Sequence, residues 1–108
     1  MAQAELNGEA IVDWDSFHEE SRRAFGFPDN YGNTMDAWVD CLSYLRDEDS
    51  MSAFHLAEDE VLTIVIRDSA AMRVTVPEIL EEVAFCIGGI NERYEDYGEK
   101  PALKLELR

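Results

Sequence analysis

Basic residues are scarce in this chain: nine Lys and Arg stand against 24 Asp and Glu, a net charge of −15 over 108 residues. A surface so poor in cations argues against nucleic acid, whose phosphate backbone needs a basic face. The same balance disfavours an anionic membrane surface. Cysteine is rare too. Cys41 and Cys86 are too few for a disulfide framework and fall within apolar helical patterns, as reduced, buried thiols of a cytoplasmic protein would. The first residues, MAQAELNGEA, lack the basic stretch and apolar core of a signal peptide. No apolar run approaches the roughly 20 residues of a membrane span. Also missing are a nucleophile with a base at reasoned spacing, a metal-ligand motif, a glycine-rich phosphate loop and a cofactor fingerprint. Neither an enzyme nor a cofactor is expected.

What is present is an acid excess that would attract a basic protein and steer it in faster at low salt. Solubility alone would also account for it. Hydrophobic residues make up 46% of the chain and recur periodically, which a disordered acidic tail would not show. The length suits one domain over residues 1–108, burying roughly 65% of its unfolded surface without staples.

The Asn7-Gly8 dipeptide marks a tight turn after a short extended piece, leaving a hairpin or a strand followed by a turn. In DSFHEESRRAF, Ser16 and Glu19 fit a capping box, with Phe17, Ala24 and Phe25 on one face; Gly26 and Pro28 stop this first helix. After the turn-forming loop GFPDNYGN, Thr34 is placed to cap a second helix reaching about Arg46. Met35, Trp38, Leu42 and Leu45, with Cys41 beside them, form its buried stripe. The acidic stretch 46–60 reads as a loop with room for one short helical turn. VLTIVIR, residues 61–67, is the continuous β-branched run of a strand covered on both faces. From Thr75 a third long helix begins, with Thr75 and Glu78 as a capping box and Pro77 in the first turn. Ile79, Leu80, Val83, Ile87, Ile90 and Tyr94 line its inner face, while Gly88-Gly89, costing about 1 kcal/mol each, imply a kink, a break or close backbone packing. ALKLELR alternates as a strand with Leu103, Leu105 and Leu107 inward. Strands alternating with helices predict an α/β domain with a mainly parallel sheet.

The stretch YGNTMDAWVDCL, residues 31–42, carries two aspartates at a spacing where like charges weaken a helix by roughly 0.2–0.5 kcal/mol. Its Tyr-Gly, Asp-Ala and Asp-Cys-Leu elements resemble the signature of the barstar family, intracellular inhibitors of barnase-type ribonucleases. NGEAI upstream, Phe17-His18 and Pro28 match in order and spacing, so the likeness covers residues 4–42. The resemblance implies a barstar-like α/β fold, with a three-stranded parallel sheet in order 1-2-3 and helices packed on it. It also implies that the second helix and the loop before it plug a nuclease active site. Asp40 then takes the place of the family's central aspartate, seated among catalytic cations where a substrate phosphate would lie. Asp36 matches a second acidic contact, and Gly32 a loop contact. A contacting Tyr is replaced here by Asn30 and a contacting Trp by Val39, both losses of aromatic area. Trp38 falls one place earlier, on the core stripe. These departures point to weak inhibition of the same ribonuclease or to a different partner. An acidic contact on the last helix falls among Glu92, Glu95 and Asp96.

Apart from the resemblance, Asp36 reads as a helix N-terminal acid that suits the dipole and Asp40 as a solvated surface charge. Tyr31 reads as a structural turn residue, Trp38 and Cys41 as core, His18 as structural, and His55 has no evident partner. Asp36 and Asp40 with Asp47 or Glu48 could instead hold a divalent cation or act as acid and base. An acidic binding module with a non-ribonuclease partner is the remaining alternative.

Overall fold

The computed structural model describes residues 2–108. Strand β1 (Ala2–Asn7) leads through a 3-10 turn at Gly8–Ala10 to α1 (Trp14–Phe25) and α2 (Met35–Leu42). Strand β2 (Leu62–Arg67), α3 (Ser69–Thr75), α4 (Pro77–Asp96) and β3 (Leu103–Leu107) follow. The sheet is parallel in order β1-β2-β3, with Ala4 opposite Ile64 and Ile64 opposite Leu105. The expected architecture is therefore present, and the Asn7-Gly8 signal resolves as a strand followed by a turn. A side chain at Gly8 would be driven into the Arg67 carbonyl oxygen, so the close approach of this turn to β2 requires glycine.

Ala4, Leu6, Leu62, Ile64, Ile66 and Leu103 share one face of the sheet and join the core with Phe17, Trp38, Met72 and Ile79 from the four helices. The other face of β2 is covered as well, as the apolar run predicts. Val65 is fully buried yet lies outside that core, with Glu5 and Glu106 as its register partners. Arg67 spans to Glu5 on this face with two parallel bonds of 2.9 and 3.0 Å. Charged stems shield apolar surface here in place of a helix. On β3, Leu103 is buried, but Leu105 is only half-buried and Leu107 remains 39% exposed, so the inward alternation fades along the strand.

Helix boundaries depart from the sequence pattern in four places. The cap of α1 is Asp13, not Ser16: Asp13 Oδ1 accepts from Ser16 N at 2.8 Å, and Ser16 Oγ accepts from the Asp13 and Val12 N–H groups. Helix α2 begins as expected, with Thr34 Oγ1 accepting from Ala37 N, but stops at Leu42 rather than near Arg46. The Tyr94 hydroxyl ends it, donating to Leu42 O and accepting from Leu45 N, so the next helical turn has lost its own partners. Thr75 closes α3, a helix without a sequence expectation, and caps nothing: the junction residue Val76 has no side-chain cap, and Pro77 starts α4. The 46–60 loop holds turns and bends and no helical turn.

Gly88 and Gly89 do not break the helix, and no atom packs closely on them; α4 runs through both. The buried stripe around them holds the helix against the propensity cost. With open space at both Cβ positions, Gly88→Ala should stabilise the protein by about 0.4–1 kcal/mol. Thermal unfolding checks this, and an unchanged or lower Tm would refute it.

Candidate interaction face on helix α2

The loop entering α2 is anchored from below. Tyr31 is buried, and its hydroxyl lies 2.6 Å from His18 Nδ1, which is itself buried on α1. Rings of Phe27 and His18 flank Tyr31 at 4.7 and 5.6 Å. With Tyr31 drawn inward, its neighbours Asn30 and Gly32 stay exposed. Asn33, in the left-handed region at φ 53°, then turns the chain into Thr34 and the helix. Tyr31 and His18 are thus structural, as expected.

Burial pushes the His18 pKa below the usual histidine range, against a smaller upward pull from Asp15. The unfolded chain then takes up this proton first. Stability from the neutral ring is fully present above the unfolded value of about 6.5 and drains away as pH falls below it toward the folded value. We expect urea stability to decline between about pH 7 and pH 5, with His18→Gln flattening that decline. Parallel profiles for the two proteins would disprove the assignment.

The inner side of α2 is locked by Trp38. Its Nε1 donates to the buried Ser21 hydroxyl at 3.1 Å, and its ring packs 6.0 Å from both Phe17 and Phe25. Cys41, Leu42 and Leu45 complete the buried stripe, while Met35 is only half-buried. On the opposite side Asp36 and Asp40 stand exposed one turn apart, with Val39 half-buried between them. A groove of about 540 Å³ runs beside this side of α2, walled by Asp36, Val39 and Asp40 and by Glu82, Phe85 and Arg93 of α4. Asn30 and Gly32 do not line it; they sit on the loop before the helix.

Sequence reasoning missed the α4 wall. None of Glu92, Glu95 or Asp96 lines the groove, and the last-helix residue that reaches Asp40 is a cation: Arg93 Nη1 lies 3.9 Å from Asp40 Oδ1. The spacing of Glu82, Cys86, Gly89 and Arg93 shows that they share a face, but which helix that face meets is set by tertiary packing. Asp96 and Asp47 instead border a separate cleft with Tyr44 and Tyr97.

Nucleophilic and metal chemistry find little here. Cys41 and Cys86 are free and buried. Burial raises both thiol pKa values, helped at Cys41 by the Asp40 charge and at Cys86 by Glu82, which brings Cys86 to about 11. Both therefore remain thiols rather than reactive thiolates near neutral pH. Among the described residues, no three His, Cys, Asp or Glu side chains are grouped to hold a metal ion, so Asp47 and Glu48 do not join the aspartates of α2 in such a site. No helix of the described residues is long and apolar enough to cross a membrane.

None of the curated proteins compared with this chain matches it. The family model described as Barstar (barnase inhibitor), by contrast, matches residues 1–106, nearly the whole length. That match agrees with the parallel sheet in order β1-β2-β3 and with the signature around α2. The chain belongs to the Barstar family, whose members are inhibitors rather than enzymes.

Proposed function

We propose that this protein binds a basic ribonuclease and blocks its active site with α2 and the loop before it. Asp36 and Asp40 would occupy the place of substrate phosphate, and Asn30, Gly32 and Val39 would make the surrounding contacts. The observation that carries this reading is the exposure of two carboxylates one turn apart on a helix whose other side is locked into the core by Trp38. A carboxylate presented on a rigid element meets Arg, Lys or His with charge-assisted, often bidentate hydrogen bonds. With a net charge of −15, a cationic enzyme is drawn in from a distance and a nucleic acid is repelled. Reduced, buried thiols suit action in the cytoplasm.

Calorimetric titration into a barnase-type ribonuclease, at low and moderate salt and with Asp40→Ala alongside, tests the proposal. Tight binding that weakens with salt and collapses in the variant supports it. Absence of binding at either salt would sink it.

A second reading, an acidic module for a non-ribonuclease partner, draws support from the make-up of the α2 face and the loop before it. Asn30 and Val39 offer little aromatic area, and Arg93 places a positive charge beside Asp40. Under that reading, a pull-down recovers a different basic protein, and Asp36→Ala with Asp40→Ala abolishes its capture.

A further inference from the structure

Arg93 is the one cation along the 20 residues of α4. Its guanidinium reaches across the groove, 3.9 Å from Asp40 Oδ1 and 3.3 Å from the Ser43 hydroxyl. That hydroxyl donates to Val39 O at 2.6 Å, closing the last turn of α2. Helix α2 has no basic residue in its own last turn. Arg93 therefore supplies, from another helix, the positive charge that the C-terminal end of a helix favours. Its three surroundings (a carboxylate, a hydroxyl and a helix end) give it a defined seat.

The seat is weak by construction. Both side chains remain more than half exposed, 54% for Arg93 and 63% for Asp40, and a single nitrogen–oxygen contact joins them. Exposed pairs of this kind exchange readily. An incoming arginine able to make two parallel bonds to the same carboxylate has the better geometry.

We propose that Arg93 is an internal competitor on the α2 face: it occupies Asp40 in the free protein and yields it to a partner arginine that can grip both carboxylate oxygens. This rests on the inhibitor reading above. A partner that attaches elsewhere on the acidic surface has nothing to displace, so Arg93 penalises only binding that uses Asp40.

The test is a cycle of four proteins titrated into a barnase-type ribonuclease at low salt: wild type, Arg93→Gln, Asp40→Ala and the double variant. Removing the competitor should tighten binding about two- to five-fold, the weight of an exposed ion pair. That gain should vanish in the Asp40→Ala background. A gain that persists there would reflect general charge alone and overturn the proposal. Unchanged or weakened binding in Arg93→Gln, with Asp40→Ala still losing affinity, would also overturn it while leaving the inhibitor reading intact. If Asp40→Ala binds as well as wild type, or if none of the four binds, both fall together.

Discussion

Asp40→Ala should lower affinity for a basic ribonuclease by about 100- to several-thousand-fold while leaving the urea midpoint almost unmoved. The magnitude comes from the penalty of removing one partner from a charge pair that has lost its water, about 3–5 kcal/mol, at 1.4 kcal/mol per decade of affinity. Most of that cost falls on the enzyme, whose cations would be left buried without a counter-charge. In the free protein, the Asp40 carboxylate is exposed, and among the described residues its one ion pair is with Arg93, at 3.9 Å. Its loss therefore removes an interaction of roughly 0–1 kcal/mol from the fold. The same ion pair pulls the binding effect toward the lower end of the range, because part of the carboxylate's attraction is spent on Arg93 before the partner arrives. Asp36, which forms no ion pair or hydrogen bond among the described residues, carries no such discount, but its place in the first turn of α2 already suits the helix dipole. Its truncation should cost less than that of Asp40. A midpoint lowered as far as the affinity would mean that Asp40→Ala acts through the fold, and affinity within two-fold of wild type would remove the aspartate from the mechanism.

Features set by neighbours in the chain were legible from the residues, and those set by distant partners were not. The β2 run Leu62–Arg67 and the Thr34 cap of α2 are local, and both stand where the pattern placed them. The start of α1 was misplaced for a local reason. Asp13 and Ser16 are both capping residues spaced by three, and the earlier one prevailed because Ser16 can then satisfy the N–H groups of both Val12 and Asp13. By contrast, the end of α2 is decided by the Tyr94 hydroxyl, 49 residues from Leu45, and no spacing rule near Leu42 reports it. Arg93 belongs to the same class. Its position on α4 was readable as a helical face, but its meeting with Asp40 depends on how two helices pack. So the acidic half of the candidate site could be found in the sequence, and its counter-charge could not.

Trp38→Ala should be the most damaging single change to stability, by about 3–5 kcal/mol. The side chain is fully buried between Phe17 and Phe25, so truncation opens a cavity at the junction of α1 and α2. It also strands the buried Ser21 hydroxyl, which accepts the indole N–H at 3.1 Å and would lose that donor. Against a total of roughly 5–15 kcal/mol for a folded chain, the loss is a large fraction. The urea midpoint should fall sharply with the slope retained. Trp38→Phe separates the two causes, since it keeps most of the ring volume and forfeits the hydrogen bond, for an expected cost nearer 1 kcal/mol. The consequence for binding follows from length. At eight residues, α2 is too short to hold a helical shape unaided, so the spacing of Asp36 and Asp40 exists only while the inner side is docked. Trp38→Phe should then bind the ribonuclease close to wild type, whereas Trp38→Ala should lose affinity even at temperatures where most molecules remain folded. A Trp38→Ala protein that unfolds at the wild-type midpoint, or that binds as well as Trp38→Phe, would show that something other than this indole holds the helix in place.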